Sequence, residues 1–216
     1  GVAPGTATHS LTLYRAPSNA LVFGAVIYPI VAHSVYGGGL LSDVGGRPVM
    51  GFAGSSVVHL TGESIASGRW TSEKKRAIRD SRVKGTTILS ESLARLSTPP
   101  SAFISASAIG YYGNRGDELL EETSPPGNDF LAGVCIEWEN ATRPAVEKGI
   151  RTVQTRFGII LDEHEGALGK MLTPFRMGIG GRVGSGKQWM SWIALDDVVN
   201  GLKFLMGETS TRGPVN

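Results

Sequence analysis

Residues 57–62 read VVHLTG and residues 102–113 read AFISASAIGYYG, and these two stretches decide the fold. Each begins as a short apolar run of β-strand character and ends in small residues and glycine. Between them, the stretch from Thr71 to Leu96 is typical of an amphipathic helix, because the residues of its predicted buried stripe recur at spacings of three, four and seven. They are Ile78, Gly85, Leu89, Leu93 and Leu96. Thr71 is expected to cap this helix, and Glu73 suits the positive end of its dipole. Strand, helix and strand in this order predict a βαβ unit with parallel strands.

The same alternation continues towards the C-terminus. The predicted elements are a helix over residues 129–148, a strand over 152–160, a strand over 189–195 and a helix from the capping residue Asp196 to about Met206. Together they indicate an α/β fold with a doubly wound parallel sheet and right-handed crossovers. Ligands of such sheets bind beyond the carboxyl ends of the strands. Those ends are expected near Thr61–Gly62, Ser105–Tyr112 and Arg156–Ile159.

Composition excludes several classes of protein. The 21 Lys and Arg residues exceed the 19 Asp and Glu residues by two and are interspersed with them, so no nucleic-acid or membrane partner is predicted. Cys135 is the single cysteine, which rules out an intrachain disulfide, and the four histidines form no metal-ligand pattern. We therefore expect no metal. Glycine, at 30 of 216 residues, exceeds its usual frequency and suits close backbone approach to a ligand.

Residues 1–56 differ in kind from the remainder of the chain. Residues 1–50 contain only three charged residues. The apolar run from Ala20 to Ala32 is shorter than the ~20 residues of a membrane-spanning helix, and Pro29 interrupts it. A spanning helix and a signal peptide are the alternatives that we weigh and set aside. We interpret residues 1–56 as a divergent or misassigned segment.

Five segments carry a resemblance to a known family. They are HLTGESIASGRWTSEKKRAIRDSRVKGT (59–86), SASAIGYYG (105–113), FLAGVCIEWE (130–139), RFGIILDEHEGALGKMLTPFRMGIGG (156–181) and VGSGKQWMSWIALDD (183–197). In this order they resemble the epimerase-like family of atypical extended short-chain dehydrogenases/reductases. The resemblance covers residues 57–216 and implies a Rossmann-like NAD(P)-binding domain that lacks its N-terminal half, with a substrate-side loop over residues 162–192.

The resemblance also implies which residues line the ligand crevice. The implied cofactor-binding residues are Leu60, Thr61, Gly62, Glu63, Arg82, Ser105, Ala106, Arg156, Gly158 and Ile159. The implied substrate-side residues are Lys170, Met171, Pro174 and Phe175. The cofactor would be NAD or NADP, with NADP favoured. For Glu63 and Arg82, a surface or helix-packing ion pair is the alternative.

The usual catalytic pair of the superfamily is not visible in this sequence. Typical members use a Tyr four residues before a Lys, which lowers the pKa of the phenol so that it exchanges a proton with the substrate. None of the five tyrosines has a Lys at that spacing. When Glu139 is matched to the acidic residue that follows the pair, Leu131 and Cys135 take the places of Tyr and Lys. Neither side chain can perform that acid–base step.

Three other residues are therefore the catalytic candidates. Ser107 ends the second predicted strand, where its hydroxyl can bond a substrate oxygen, although bonding to local backbone groups is the alternative. Tyr111 and Tyr112 follow within one turn and carry phenols, although a packing role for at least one of them is the alternative. We interpret Cys135 as a core thiol because its neighbours are apolar.

Glycine motifs that bind phosphate are absent from the expected place. The family's first strand carries TGxxGxxG about fifty residues before residue 57, and residues 1–56 contain no such motif. Its loss should weaken cofactor binding, because backbone N–H groups of that loop reach the pyrophosphate. Gly178, Gly181 and Gly184 spell GxxGxxG, and residues 181–187 spell GxxxxGK, but neither lies between a strand and a helix. We assign both to the substrate-side loop.

Two functions follow as hypotheses. The first is an NAD(P)-binding epimerase or reductase that transfers hydride at a small hydroxylated or carbonyl substrate. The second is a catalytically inactive nucleotide-binding or regulatory scaffold. In either case we expect a small-molecule partner, and a location in the cytoplasm or in an organelle stroma or matrix.

Overall fold

The computed structural model of the protein describes residues 26–29, 55–65, 68–163, 166–182 and 184–216. Its main sheet consists of β1 (Val26–Pro29), β2 (Ser55–His59), β3 (Ala102–Ala108), β4 (Arg151–Phe157) and β7 (Gly213–Val215). They lie side by side in that order; β1 pairs antiparallel with β2, and the other four run parallel. A separate parallel pair consists of β5 (Ile159–Leu161) and β6 (Trp192–Ala194).

Helices cover both faces of the main sheet. They are α1 (Ser72–Arg95), α2 (Phe130–Asn140), α3 (Arg143–Glu147), α4 (Gly166–Arg176) and α5 (Leu195–Gly207). Val57 belongs to a buried cluster with Leu93 of α1, whereas Val58 belongs to a second cluster with Leu202 of α5. Neighbouring residues of a strand point to opposite faces, so these clusters lie on the two sides of the sheet. The result is the doubly wound α/β fold that the sequence predicts.

Helix α1 forms much as predicted. Thr71 is its N-cap and accepts a hydrogen bond from the Lys74 amide, and Glu73 lies in its first turn. The buried face differs in one respect, because Gly85, which the spacing places in the buried stripe, is only half-buried while Thr86 and Ser90 are buried. Their hydroxyls are satisfied inside the protein, as the hydrogen bond from Ser90 Oγ to the Thr142 carbonyl shows.

Two predicted elements are each divided into two. The helix predicted over residues 129–148 is interrupted after Asn140, and Pro144 lies in the first turn of α3. The strand predicted over residues 152–160 is interrupted at Gly158. A Cβ atom there would lie 2.8 Å from the Ser191 carbonyl oxygen, so only glycine permits this close approach of two chain segments.

The segment predicted as a loop over residues 162–192 contains helix α4, so that prediction is incomplete. The prediction that Asp196 caps the last helix is wrong, because Ala194 is the N-cap of α5 and makes no side-chain capping bond. Asp196 and Asp197 lie instead in the first turn, where their charges suit the helix dipole.

The last crossover differs in hand from the first two. The connections from β2 to β3 and from β3 to β4 carry their helices on one face, whereas the connection from β4 to β7 continues in the same direction with α5 on the other face. The prediction that all crossovers are right-handed is therefore wrong for this connection. The handedness rule applies to simple strand–helix–strand units, and here β5, α4 and β6 intervene.

Four residues of the segment 1–56 take part in the sheet. Val26–Pro29 pairs with β2 at the edge of the main sheet. The remainder of the apolar run over residues 20–32 lies outside the described residues. Among the helices that the structure does describe, none is both long and apolar enough to cross a membrane.

Candidate cofactor and substrate site

The carboxyl ends of three parallel strands lie together at one edge of the main sheet. His59, the last residue of β2, lies opposite Ser105 of β3, and Ser105 lies opposite Gln154 of β4. Strands β3 and β4 continue further and pair Ser107 with Arg156. The edge is therefore stepped, and residues 60–63 leave the sheet beside the longer strands. These ends converge as the sequence predicts, and we call this edge the crevice.

Arg156 and Glu139 form a buried ion pair at the end of β4. Arg156 Nε donates to Glu139 Oε1 and Arg156 Nη2 donates to Glu139 Oε2, both at 2.8 Å. The side chains are 3% and 14% exposed respectively. The Ser107 hydroxyl donates to Glu139 Oε1 at 2.6 Å. Glu139 therefore connects the strand-end serine to the arginine of the next strand.

The two tyrosines lie on the same guanidinium. The centre of Arg156 is 3.6 Å from the Tyr111 ring centroid, and Arg156 Nη1 donates to the Tyr112 hydroxyl at 2.8 Å. The Tyr112 hydroxyl lies 2.7 Å from Asn216 Oδ1 and donates its proton to that amide oxygen. Burial opposes the charge of Arg156, but its hydrogen bonds to Glu139 and Tyr112 raise its pKa above the usual arginine value.

These contacts limit what the candidate hydroxyls can do. A serine or tyrosine hydroxyl has one proton, and those of Ser107 and Tyr112 are directed to Glu139 and Asn216. In this arrangement each oxygen can accept a hydrogen bond, but neither can donate one to a substrate carbonyl. Among the residues that the structure describes, none forms a hydrogen bond with the Tyr111 hydroxyl, and Tyr111 is partly exposed. Its phenol is the candidate that retains a free proton.

A second group of predicted residues surrounds Arg82 at the end of β2. Arg82 Nη1 donates to the Glu63 carbonyl at 3.0 Å and to the Ile78 carbonyl at 3.1 Å. The Glu63 amide donates to Ser81 Oγ, and Lys74 Nζ contacts Glu63 Oε1 at 2.6 Å. Residues 60–63 are thereby fixed to α1. Burial lowers the pKa of Arg82, although an arginine remains charged at neutral pH.

Below this loop lies a buried polar cluster. The Thr86 hydroxyl lies 3.1 Å from His59 Nε2 and accepts a hydrogen bond from Trp138 Nε1 at 2.9 Å. The Thr61 hydroxyl lies 3.0 Å from His59 Nε2. Burial lowers the pKa of His59 from 6.5 to about 4, so the ring is neutral at physiological pH. His59 thus provides neutral hydrogen-bonding groups under the loop.

Helix α2 joins the Arg82 group to the Arg156 group. Trp138 lies beside the Arg82 guanidinium, 5.1 Å from its centre, and the next residue, Glu139, bonds Arg156. Leu131 and Cys135 lie on the same helix. Cys135 is 4% exposed, and burial raises the pKa of its thiol to about 11. The interpretation of Cys135 as a core thiol is thus confirmed.

The remaining predicted cofactor residues belong to the strands themselves. Ser105 and Ala106 are buried in β3, and the Ser105 hydroxyl donates to a backbone carbonyl. Gly158 makes the close contact with Ser191 described above, and Ile159, which is 37% exposed, begins β5. Leu60 packs against the apolar cluster under α5. Ser105 and Ala106 are therefore part of the buried sheet, and a cofactor-binding role for these five residues stays a prediction.

The predicted substrate-side residues lie on α4 and apart from these groups. Lys170, Met171, Pro174 and Phe175 are on this helix, which packs against β5 and has no buried residue among those described. Phe175 is 56% exposed. Within the described part of the chain they make no hydrogen bond, ion pair or ring contact with Ser107, Arg156 or Arg82, so their role stays a prediction.

A groove of about 510 Å³ opens on the α2 side of the sheet. Its lining includes Tyr111, Glu139, Gln154, Arg156 and Arg212. Residues 60–63 do not line the groove, whereas Arg156 at the end of β4 does, so the groove adjoins the crevice on its β4 side. The Arg156 group lies between them.

Sequence reasoning did not propose several residues that organise the site. Glu139 served only to align the missing catalytic pair, and His59, Thr86 and Trp138 were not singled out. One signal was available for Glu139: Arg156 lies near the end of a predicted strand of the sheet, and a buried arginine requires a carboxylate partner. The contact between Tyr112 and Asn216 spans 104 residues, and no local pattern reports it.

No protein-family model matches the chain. An epimerase family protein of Mycobacterium bovis is 44% identical over 161 residues, which are 74% of this chain and 53% of that protein. A chloroplastic epimerase family protein of Arabidopsis thaliana, a homolog of SDR39U1, is 39% identical over 166 residues, 75% of this chain and 47% of its own length. Human SDR39U1, solved with NADPH, matches with a TM-score of 0.71 and 31% identity, covering 74% of this chain and 55% of the human one.

A parallel sheet covered by helices on both faces, with polar residues at its strand ends, defines the Rossmann-like class of α/β proteins. The similarity to SDR39U1 and its bacterial relatives narrows that class. The matched three quarters of this chain belong to the epimerase family of short-chain dehydrogenases/reductases. The chain spans about half the length of the curated relatives that it matches.

Proposed function

We propose that this chain is part of an NAD(P)-binding, epimerase-like protein that acts on a small hydroxylated or carbonyl substrate. The observation that carries the proposal is the side-by-side termination of β2, β3 and β4, which brings Thr61, Ser107 and Arg156 to one edge. Dinucleotides bind at that edge in Rossmann-like folds. The human relative is solved with NADPH, which favours NADP over NAD.

The described residues suit a ring and ribose of the cofactor better than they suit its pyrophosphate. Small residues follow β2 at Thr61 and Gly62 and end β3 at Ser107 and Ala108, and small residues at strand ends allow a ring and a ribose to approach the backbone. The pyrophosphate, however, requires a glycine turn between a strand and a helix. Gly178 and Gly184 adopt positive φ angles of 73° and 58°, but they lie between α4 and β6, where no helix begins. We therefore expect weak binding by this chain alone.

When bound, NAD(P) accepts or supplies a hydride at the substrate carbon. The proton that accompanies it must come from or go to a side chain of the protein. Tyr111 is the candidate donor, because its phenol is not committed and its ring lies on the Arg156 guanidinium. Ser107 would accept a hydrogen bond from a substrate hydroxyl while it donates to Glu139.

A catalytically inactive nucleotide-binding or regulatory scaffold is the second candidate. The fixed protons of Ser107 and Tyr112 support it, as does the absence of any acid–base group at Leu131 and Cys135. In this proposal Arg156 and Glu139 stabilise the strand ends and take no part in chemistry.

A titration of the purified chain with NADPH, followed by its fluorescence, tests both proposals. Binding that NADP⁺ displaces supports nucleotide binding in either candidate, whereas no binding at millimolar NADPH contradicts the first candidate and leaves only the regulatory scaffold. Turnover of hydroxylated or carbonyl substrates then separates them. If turnover occurs, the Ser107→Ala and Tyr111→Phe double variant is expected to abolish it, and undiminished turnover would contradict the site.

The location of the protein is also a proposal. We place it in the cytoplasm or in an organelle stroma or matrix, and the chloroplastic Arabidopsis relative supports the organelle alternative. We propose a small molecule as its partner, and neither a nucleic acid nor a membrane.

A further inference from the structure

The guanidinium of Arg82 is held between a loop and a helix at the crevice. On one side lies Gly62, where a Cβ atom would be 3.0 Å from Arg82 Cζ, 3.1 Å from Nη2 and 3.3 Å from Nε. On the other side lies the Trp138 ring, at 5.1 Å. The lack of a side chain at position 62 is thus what allows the guanidinium to lie directly against the loop.

One side of this guanidinium donates hydrogen bonds to the protein, and its Nε–Nη2 edge does not in the described part of the chain. Nη1 donates to the Glu63 and Ile78 carbonyls. In the described part of the chain, Nε and Nη2 donate to no acceptor. An arginine whose charge is partly desolvated usually satisfies its donors with carboxylate or phosphate oxygens, in pairs where possible. Gly62 lies over the face of the guanidinium, because Cζ is the nearest of the three atoms to its Cβ position. The Nε–Nη2 edge is therefore suited to an oxygen atom from outside the chain.

The neighbourhood of Arg82 lacks the cation that typical relatives carry there. Cys135 of α2 takes the place of their lysine, and it lies one turn before Trp138. The Arg82 charge acts to lower the pKa of the Cys135 thiol, although burial raises it. Arg82 thus approaches from α1 the region that a lysine would reach from α2.

We propose that Arg82 supplies the positive charge that this lysine supplies in typical relatives, and that its Nε–Nη2 edge binds an oxygen of the nicotinamide half of NAD(P). This inference rests on the proposed cofactor binding. Arg82 then has two roles, because Nη1 fixes residues 60–63 while the other edge contacts the ligand. A guanidinium does not release its proton at neutral pH, so Arg82 would bind and polarise without acting as an acid.

The test compares two ligands on three variants of the full 216-residue chain. NADPH contains the nicotinamide half, and 2′,5′-ADP contains only the adenosine half. Arg82→Gln removes the charge, and Arg82→Lys keeps the charge but removes the planar fork. Arg79→Gln is the matched control, because Arg79 lies one turn earlier on α1 and pairs with Glu137 at the surface. Ligand-observed NMR suits the weak affinities expected.

Arg82→Gln is expected to raise the Kd for NADPH about tenfold, the usual effect of losing one charge-assisted hydrogen bond. The Kd for 2′,5′-ADP is expected to change less than about twofold, and Arg79→Gln should change neither. Equal loss for both ligands would mean that Arg82 only supports the loop and would overturn the inference. An unchanged NADPH affinity would overturn it too.

Failure of the inference and failure of the proposed function give different results. If the unaltered chain binds neither ligand, the proposed cofactor binding fails and the role of Arg82 fails with it. If the unaltered chain binds NADPH and Arg82→Gln binds it equally well, only the role of Arg82 fails. If Arg82→Gln does not fold, Arg82→Lys provides the test instead. We expect this variant to raise the Kd for NADPH about threefold or more and to leave the Kd for 2′,5′-ADP unchanged.

Discussion

Arg156 and Glu139 face each other through two parallel hydrogen bonds, Nε to Oε1 and Nη2 to Oε2, both at 2.8 Å. This fork-to-fork geometry is the strongest that an arginine and a carboxylate can form. It joins the end of β4 to α2. Glu139 Oε1 also accepts a second hydrogen bond, from the Ser107 hydroxyl. The pair therefore fixes the strand end at which the catalytic candidates lie.

Removing the arginine of this pair should destabilise the protein strongly. Arg156→Gln would leave the Glu139 carboxylate largely buried without its cation, and we expect the free energy of unfolding to fall by about 3 kcal/mol. Urea unfolding measures the loss. Arg115→Gln is the control, because Arg115 and Glu118 form the same two-bond geometry on the surface. That variant should lose less than about 1 kcal/mol. Similar losses of unfolding free energy in both variants would mean that burial does not make the Arg156–Glu139 pair more important for stability than a surface pair.

Periodicity and turn residues were sufficient to predict most of the parallel sheet. Helix α1 begins at the predicted cap, and β3 and β4 begin within one residue of their predicted positions. The interruptions were not predictable, because Gly158 is required by Ser191, which is distant in sequence. The same holds for β1, whose pairing with β2 depends on contacts that no local pattern reports.

The buried cluster under the loop depends on Thr86. Its hydroxyl accepts from Trp138 Nε1 and lies 3.1 Å from His59 Nε2, so Thr86→Val would leave two buried polar groups without this partner. We expect a loss of about 2 kcal/mol in the free energy of unfolding. Thr87→Val is the matched control, since the Thr87 hydroxyl bonds only the Val83 carbonyl of its own helix. That change should cost less than about 0.5 kcal/mol. Equal costs would mean that the cluster contributes nothing.

The prediction of site residues from the family resemblance was most informative at the strand ends. It placed Ser107, Tyr112 and Arg156 in one region, and the structure joins them through hydrogen bonds. It said nothing of Glu139 as the common acceptor of Ser107 and Arg156, because a carboxylate on a helix gives no signal of which strand it faces. Side-chain partners of this kind depend on tertiary packing, which propensity and spacing do not contain.

Gly62 should tolerate no side chain while Arg82 is present. In Gly62→Ala the new Cβ would lie 3.0 Å from Arg82 Cζ, and either the guanidinium or the loop must move. We expect a loss of about 1 kcal/mol, measured by urea unfolding. Gly85→Ala is the control, because nothing lies within 4 Å of its Cβ position in α1, and it should gain up to about 1 kcal/mol. In a double-mutant cycle, Arg82→Gln should reduce the penalty at position 62. An unchanged penalty would contradict the contact.

His59 should make the stability of the protein fall in mild acid. Its pKa is lowered from 6.5 to about 4 by burial, so the folded state resists a proton that the unfolded state accepts. As the pH falls below 6.5, the unfolded state is therefore favoured, and the effect is complete near pH 4, where the folded state also binds the proton. Above pH 6.5 both states are neutral at this residue, and it contributes no pH dependence.

Between about pH 7 and about pH 5, His59 alone should lower the free energy of unfolding by about 2 kcal/mol. Other groups also titrate, so the informative quantity is the difference in pH slope between the unaltered protein and His59→Gln, which has no titrating group. Urea unfolding at the two pH values gives both slopes, and the loss of a buried contact in the variant affects its stability at each pH alike. The variant should therefore show the smaller decrease. If His59→Gln and the unaltered protein showed the same pH slope, the folded state would bind the proton as readily as the unfolded chain. The His59 ring would then not be desolvated between β2 and Thr86.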